Sequence, residues 1–413
     1  MNARKLIMGA MLLMASATQA QKYVGGDISC LTDNESKNAQ YLDFNGKATP
    51  ALQLFKQEKL NAMRVRLFVN PADYENNDPN CCQDLDYVIA LSKRIKEAGF
   101  ALMLDFHYSD TWADPVKQWT PKAWENLSDD ALVNKIYEYT KDVLQKMKDE
   151  GVAPELIQTG NEISYGMLWG KEGSSSLKKC YSGNSANWSR FTSLLKSAGK
   201  ACREVCPNAK IILHTERATQ TNVLTYFYDR MKTDNVDYDI IGLSYYPAWH
   251  KSLNTLETAI NTLETRYSDK KIMIVEVGYA YSWALSDADF DYTYKYPASE
   301  DGQKAFTDDL ITMLNKHESV NGLFWWWMEY NPYPWGDTHM EGWWYAPLYD
   351  GKTGKPLAAM SSLKNFLTDD TAVEYIRQDG PQSFSAWYDL RGNRIATPAR
   401  HGIYLHNGKK IIK

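Results

Sequence analysis

The sequence predicts an α/β fold, a closed (β/α)8 TIM barrel followed by a short C-terminal β appendix. Two observations predict it. Eight short β-rich runs alternate with helical patterns between residues 23 and 330. Strand, helix, strand repeated in this way argues for parallel strands joined by crossover helices. Each run starts apolar and ends polar, as barrel strands do when their C-terminal ends share one functional face.

The first run, "YVGGDIS" (23–29), ends near Asp27, and the second, "AMRVRLFV" (62–69), carries Arg64 and Arg66. These two arginines share strand parity, and Arg66 is nearer the functional end. The third, "FALMLDFHYS" (100–109), brings Asp105 and His107; the fourth, "LIQTGNEI" (156–163), brings Asn161 and Glu162. The fifth, "KIILHTE" (210–216), offers His214, and the sixth, "DIIGLSYYP" (239–247), offers Tyr245 and Tyr246. The seventh, "KIMIVEVGY" (271–279), holds Glu276, and the eighth, "GLFWWWMEY" (322–330), holds Trp326. Amphipathic stretches at 85–99, 129–151 and 252–269 read as crossover helices. The loops after strands three and eight are rich in Trp, Gly and Pro and are suited to wall a groove.

Residues 1–20 have a short basic start (Arg4, Lys5), an apolar run from Leu6 to Ala15 and small residues up to Ala20. That is the layout of a secretory signal peptide, too short to span a membrane. A mature catalytic domain is expected over 21–370, in a secreted or periplasmic protein or at the cell surface. From 371 to 413 basic residues outnumber acidic ones and short strands with Gly-containing turns are expected. This small β-rich tail looks like those appended to many exported bacterial proteins, some of which serve in sorting. No catalytic duty is expected of it. A net charge of −5 gives no bulk basic field for nucleic acid. Aromatics reach 13% of the chain, which suits either a large core or a cleft whose flat rings stack on sugars. Six cysteines lack zinc-ligand spacing and read as structural thiols or disulfides.

Two carboxylates stand out. Glu162 and Glu276 each end an apolar strand, where a lone charge is costly. Together on one barrel face they match what glycoside hydrolysis requires, one carboxyl protonated to donate and one ionised to attack or activate water. Asn161 is suited to a sugar 2-hydroxyl, and Arg66 to binding the nucleophilic carboxylate and keeping it ionised. His107 reads as a sugar hydrogen-bond donor or as a partner behind the site. The histidines His107, His214 and His250 have no metal-binding spacing, so no metal and no cofactor are expected. Phosphate loop, dinucleotide fingerprint and GxSxG are absent.

The stretches "GGDIS", "RVRLFVNP", "LDFHYSDTWADPVKQWTPKAW", "QTGNEISYGMLW", "DIIGLSYYPAWH" and "IVEVGYAY" together resemble glycoside hydrolase family 53, endo-β-1,4-galactanases of pectic galactan and type I arabinogalactan. The resemblance covers residues 23 to 365. It implies a retaining (β/α)8 hydrolase with Glu162 as acid/base and Glu276 as nucleophile. It also implies that Asn161, Arg66, His107, Tyr245 and Tyr246 stand at active-site motif positions, and that Trp112 and Asp114 lie in the loop lining the cleft. Trp326 is implied as the platform under the −1 sugar, with Trp325 or Trp327 as alternatives in "WWWMEYNP". The loop after strand eight has Asp337, Glu341 and Asp350 but not the ligand array of a dedicated calcium loop. The expected partner is a polysaccharide, with no nucleic acid and no membrane span, and the protein is expected to be a monomer. The rival readings are the same chemistry on a β-1,4-glucan or mannan, and a non-catalytic glycan-binding barrel.

Overall fold

The computed structural model describes residues 21–72, 78, 80–282, 288–334, 336 and 346–367, with four short strands between 387 and 412. The chain divides into two compact units, Met1–Thr368 and Asp369–Lys413. In the second unit, β9 (Trp387–Tyr388), β10 (Arg394–Ile395), β11 (Ile403–His406) and β12 (Lys409–Ile412) form one antiparallel sheet in the order β10-β9-β11-β12. The signal-peptide stretch, Asp337 and Glu341 lie outside the described residues.

The first unit is a closed parallel barrel. Its strands are β1 (Tyr23–Asp27), β2 (Ala62–Leu67), β3 (Ala101–Phe106), β4 (Leu156–Thr159), β5 (Lys210–Thr215), β6 (Ile240–Tyr245), β7 (Lys271–Val277) and β8 (Val320–Trp325), and β8 pairs with β1. All eight coincide with the runs read from sequence, but most stop two to four residues earlier. The trailing polar residues leave the ladder because they carry side chains into the mouth of the barrel. Among the crossover helices, Leu85–Glu97, Asp129–Asp149 and Leu253–Arg266 are capped by the side chains of Asp84, Ser128 and Ser252, each accepting a backbone N–H of the first turn.

Two cores result. Outside the strands, apolar side chains of strands and helices form one continuous cluster. Inside the barrel, Ala62, Met103, Leu156, Ile212, Ile240, Met273, Val275 and Phe324 form a separate small one. Because strand side chains alternate faces, stepping up by two from these interior residues gives the next layer. Ala62 leads to Arg64 and Arg66, Met103 to Asp105, Leu156 to Gln158, Ile212 to His214, and Ile240 through Gly242 to Ser244. The apolar plug at the base thus turns into a polar floor at the mouth.

Strand β7 breaks this rule usefully. Its pairing with β6 shifts by one residue, from Leu243↔Ile274 to Ser244↔Glu276. The extra residue is Val275, which packs in the interior cluster. Its neighbour Glu276 then also faces inward, beside Ser244. A β-bulge re-aims a side chain in this way, and bulges concentrate at barrel rims beside active sites.

Candidate active site

Arg64 forms the floor of the site. Its Nη1 lies 3.0 Å from Asp27 Oδ2, and its Nη2 lies 2.7 Å from Asp105 Oδ2. The same Nη2 is 2.9 Å from Asn161 Oδ1 and 2.9 Å from Glu276 Oε1. The guanidinium is fully buried, and these carboxylates supply the compensation that a buried charge needs. Glu276 also accepts a 2.8 Å hydrogen bond from the Tyr246 hydroxyl on Oε2.

Glu162 stands three residues beyond β4, in the left-handed region with φ of 49°. A bulky residue rarely adopts that conformation, and it costs free energy that the surrounding structure must supply. The ends of β3 and β8 repeat the device at Tyr108 and Trp327, both with φ of 50°. On Glu162 the strained turn aims the carboxyl at Ser244, whose hydroxyl donates to Oε1 at 2.6 Å. That hydroxyl is also 3.4 Å from Glu276 Oε2. An oxygen of Glu162 and an oxygen of Glu276 therefore approach within 4.8 Å.

Burial raises the pKa of both carboxyls, but the counterweights differ. Beyond burial, Glu162 feels the negative charges of Glu276 and Glu216, which push it further up, with the Ser244 hydroxyl opposing. Glu276 is pulled back by Arg64 and by the Tyr246 hydroxyl. Glu162 is the member of the pair that keeps its proton, and Glu276 the one that loses it first. His107 and His214 are held neutral, chiefly by burial.

Several residues singled out from sequence meet here: Glu162, Glu276, Asn161 and Tyr246. Asn161 has its oxygen on Arg64 and donates one amide N–H to Ala113 O at 2.8 Å. Trp112 lies half-buried with its ring 4.4 Å from the Arg66 guanidinium, and Trp326 packs edge-on against it at 6.1 Å. Trp326 also covers Arg64 at 5.5 Å, while Trp327 covers Arg66 at 5.3 Å. Trp325 instead donates its indole N–H to Ala346 O, behind the strand. Asp114 caps its own turn, accepting from Val116 N and Lys117 N.

Two expectations are corrected. Arg66 does not hold the nucleophile candidate. It binds Asp27 Oδ1 at 3.0 Å and the Cys30 sulfur at 3.1 Å beneath the tryptophans. Arg64 takes that part, because an arginine side chain is long enough to rise from the interior layer to the level of the carboxyls. Tyr245 faces the helical layer, where its hydroxyl donates to Lys251 O at 2.8 Å; alternation puts Ser244 and Tyr246 inward and Tyr245 outward. His107 takes the second of its two expected parts, behind the site: it is buried against Asp105 at 3.1 Å and accepts Ala113 N on Nδ1. It supports the loop that carries Trp112. Sequence reading missed Gln158, Ser244 and Glu216, although counting by two from the apolar base of each strand finds them all.

One group of metal-ligand type exists among the described residues, Glu162, His214 and Glu276. Its imidazole is already engaged at both nitrogens, Nε2 by Ser244 at 2.7 Å and Nδ1 by Gln158 at 3.0 Å. The Ser244 hydroxyl stands among the three groups, in contact with each. The six cysteines are free thiols, five of them buried.

A (β/α)8 barrel with two carboxyls facing each other across its mouth has the form of a glycoside hydrolase. The chain belongs to glycosyl hydrolase family 53, whose family model matches residues 23–363. It is 36% identical over 359 residues to the Niallia circulans protein of the bgaB 5′ region, covering 84% of this chain and 95% of that one. It is 32% identical over 347 residues to the endo-β-1,4-galactanase of Bacillus subtilis strain 168, covering 79% and 77%. Among solved structures, the family 53 catalytic domain of Ignisphaera aggregans superposes with a TM-score of 0.73 at 32% identity, over 84% of this chain and 96% of that one.

Proposed function

We propose that this glycosidase is an endo-acting, retaining β-1,4-galactanase of pectic galactan and type I arabinogalactan. The observation that supports the mechanism is that one oxygen of Glu162 and one of Glu276 lie within 4.8 Å of each other. Retaining enzymes place the two carboxyls about 5–5.5 Å apart, whereas inverting enzymes need about 6.5–9.5 Å to admit a water. In this reading Glu276, kept ionised by Arg64, attacks the anomeric carbon while Glu162 protonates the departing oxygen. Glu162 then activates the water that releases the sugar. Trp112 and Trp326 present the aromatic faces, and Asn161 has an amide N–H left for a sugar hydroxyl. The sugar assignment is supported by the printed activity of the Bacillus subtilis relative. The first twenty residues support export.

The test is reducing-end release from β-1,4-galactan, with β-1,4-glucan and β-1,4-mannan beside it, for wild type, Glu162→Ala and Glu276→Ala. Activity on galactan alone, falling by several orders of magnitude in both variants, is the expected result. Activity on glucan or mannan instead discards the sugar assignment and keeps the pair. A wild type inert on all three points to a glycan-binding barrel.

A further inference from the structure

Ser244 has one proton to donate and three groups around it: Glu162 Oε1 at 2.6 Å, His214 Nε2 at 2.7 Å and Glu276 Oε2 at 3.4 Å. His214 decides where the proton goes. Its Nδ1 faces the backbone N–H of Glu162 at 3.4 Å and Nε2 of Gln158 at 3.0 Å. The Gln158 amide cannot be reversed, because the same nitrogen serves the Asp105 carboxylate, and an oxygen there would face another oxygen. Asn161 Oδ1, also 3.0 Å from Nδ1, is supplied by Arg64 at 2.9 Å and lies farther from Gln158 Nε2, at 3.3 Å, so the closer contact of that amide is the one to His214. Assigned from this network, Nδ1 bears the lone pair and the neutral ring carries its proton on Nε2. That N–H donates to the Ser244 oxygen, so the hydroxyl proton is left for Glu162.

Resting on the reading of Glu162 as acid/base, we propose that Ser244 is a positioning residue that decides which oxygen of Glu162 carries the acidic proton. Oε1 already accepts from the hydroxyl, so the proton sits on Oε2, the oxygen left for the glycosidic bond. After Glu162 has given its proton away, the same hydroxyl still donates to Oε1 and stabilises the carboxylate. No rotation is needed between the two halves of the reaction. Without the hydroxyl, Oε1 can hold the proton on the side away from the substrate. Ser244 faces inward by ordinary alternation, and the β7 bulge brings Glu276 opposite it.

Leaving-group dependence separates this role from a merely structural one. Aryl β-1,4-galactobiosides whose phenols range from poor to good leaving groups would be assayed with wild type, Ser244→Ala and Ser244→Thr. In Ser244→Ala, kcat/KM is expected to fall about 10²-fold for the poorest leaving group, the size of a lost general-acid contribution. The loss should shrink steadily towards the best leaving groups, which depart without a proton. The alkaline limb of kcat/KM should move to higher pH, because the hydroxyl favours the ionised form of Glu162. Ser244→Thr, which keeps a hydroxyl, should restore both slope and limb. An equal loss across the series, or none, overturns the proposal. If Ser244→Ala fails to fold, the 15N shifts of His214 in wild type decide, since a proton on Nδ1 overturns it and one on Nε2 upholds it. A wild type that cleaves only the matching glucosides or mannosides refutes the galactan reading, and the series in that sugar then tests Ser244. A wild type that cleaves none refutes the acid/base reading itself.

Discussion

Arg64 meets four groups with two nitrogens, and it is the residue whose loss the site can least absorb. Lysine keeps the charge but not the planar fork, so Arg64→Lys holds fewer of these partners. Arg64 pulls the Glu276 carboxyl down against its burial. Weakening that pull raises the pH at which Glu276 ionises, and the acidic limb of the pH–rate profile should move upward. A drop in kcat of about 10²–10³ is expected, as for the loss of one preorganised electrostatic contact; an unmoved acidic limb would detach Arg64 from the nucleophile. Glu162 makes a second prediction, on stability. Its carboxyl is held above the ordinary value of 4.5 by burial and by neighbouring carboxylates. From pH 4.5 up to the folded value, the folded chain keeps a proton that the unfolded chain releases, so this group's contribution to stability falls as pH rises. Glu162→Gln removes that loss while still accepting from Ser244. Its Tm should match wild type near pH 4 and exceed it at pH 8 by roughly 2–4 °C, about what 1 kcal/mol is worth in a domain of moderate size. A gap independent of pH would mean that Glu162 is not held protonated.

The strands place these groups only if the barrel closes in register, and β1 has almost no room to err. A Cβ built on Gly25 would stand 1.7 Å from the backbone oxygen of Ala62 on β2, with which Gly25 pairs. No rotamer relieves a clash with backbone, so Gly25→Ala should cost more than the usual overpacking range of about 1–3 kcal/mol. Thermal unfolding and soluble yield would both show it, and an unchanged Tm would contradict this packing of β1 on β2. The element scale is also where sequence reading succeeded and where it stopped. All eight strands were legible because each is a short apolar run between turn signals, buried on both faces. Glu162 and Glu276 were legible because a carboxylate after such a run needs a reason. The choice of Arg66 over Arg64 followed from nearness to the strand end, which ignores the reach of an arginine side chain. Tyr245 and Ser244 were separable in principle by alternation from Ile240. The inward turn of Glu276 was not, because the bulge at Val275 follows from the packing of β6, β7 and β8 together, and nothing in "KIMIVEVGY" alone marks it.

At the scale of the whole chain, every group assigned to the site lies between Asp27 and Trp327, inside the unit that ends at Thr368. The family match ends at residue 363, also within it. The last described stretch of that unit is nevertheless part of its core. Met360, Leu363 and Phe366 are fully buried in the outer cluster. Burying one such side chain contributes roughly 1.5–3 kcal/mol, so the three together weigh on the order of the 5–15 kcal/mol by which a domain is stable at all. Two truncations therefore have opposite outcomes. A chain ending at Thr368 should keep the Tm of the first unit and the wild-type kcat/KM on soluble galactan. A chain ending at Leu357 should lose most of its soluble yield and its cooperative melting. If removing 369–413 lowered kcat/KM on a soluble substrate, the second unit would have a part in catalysis that no residue of the barrel mouth requires. If cutting at Leu357 were harmless, the outer core would close before Met360 and the buried positions of Leu363 and Phe366 would be wrong.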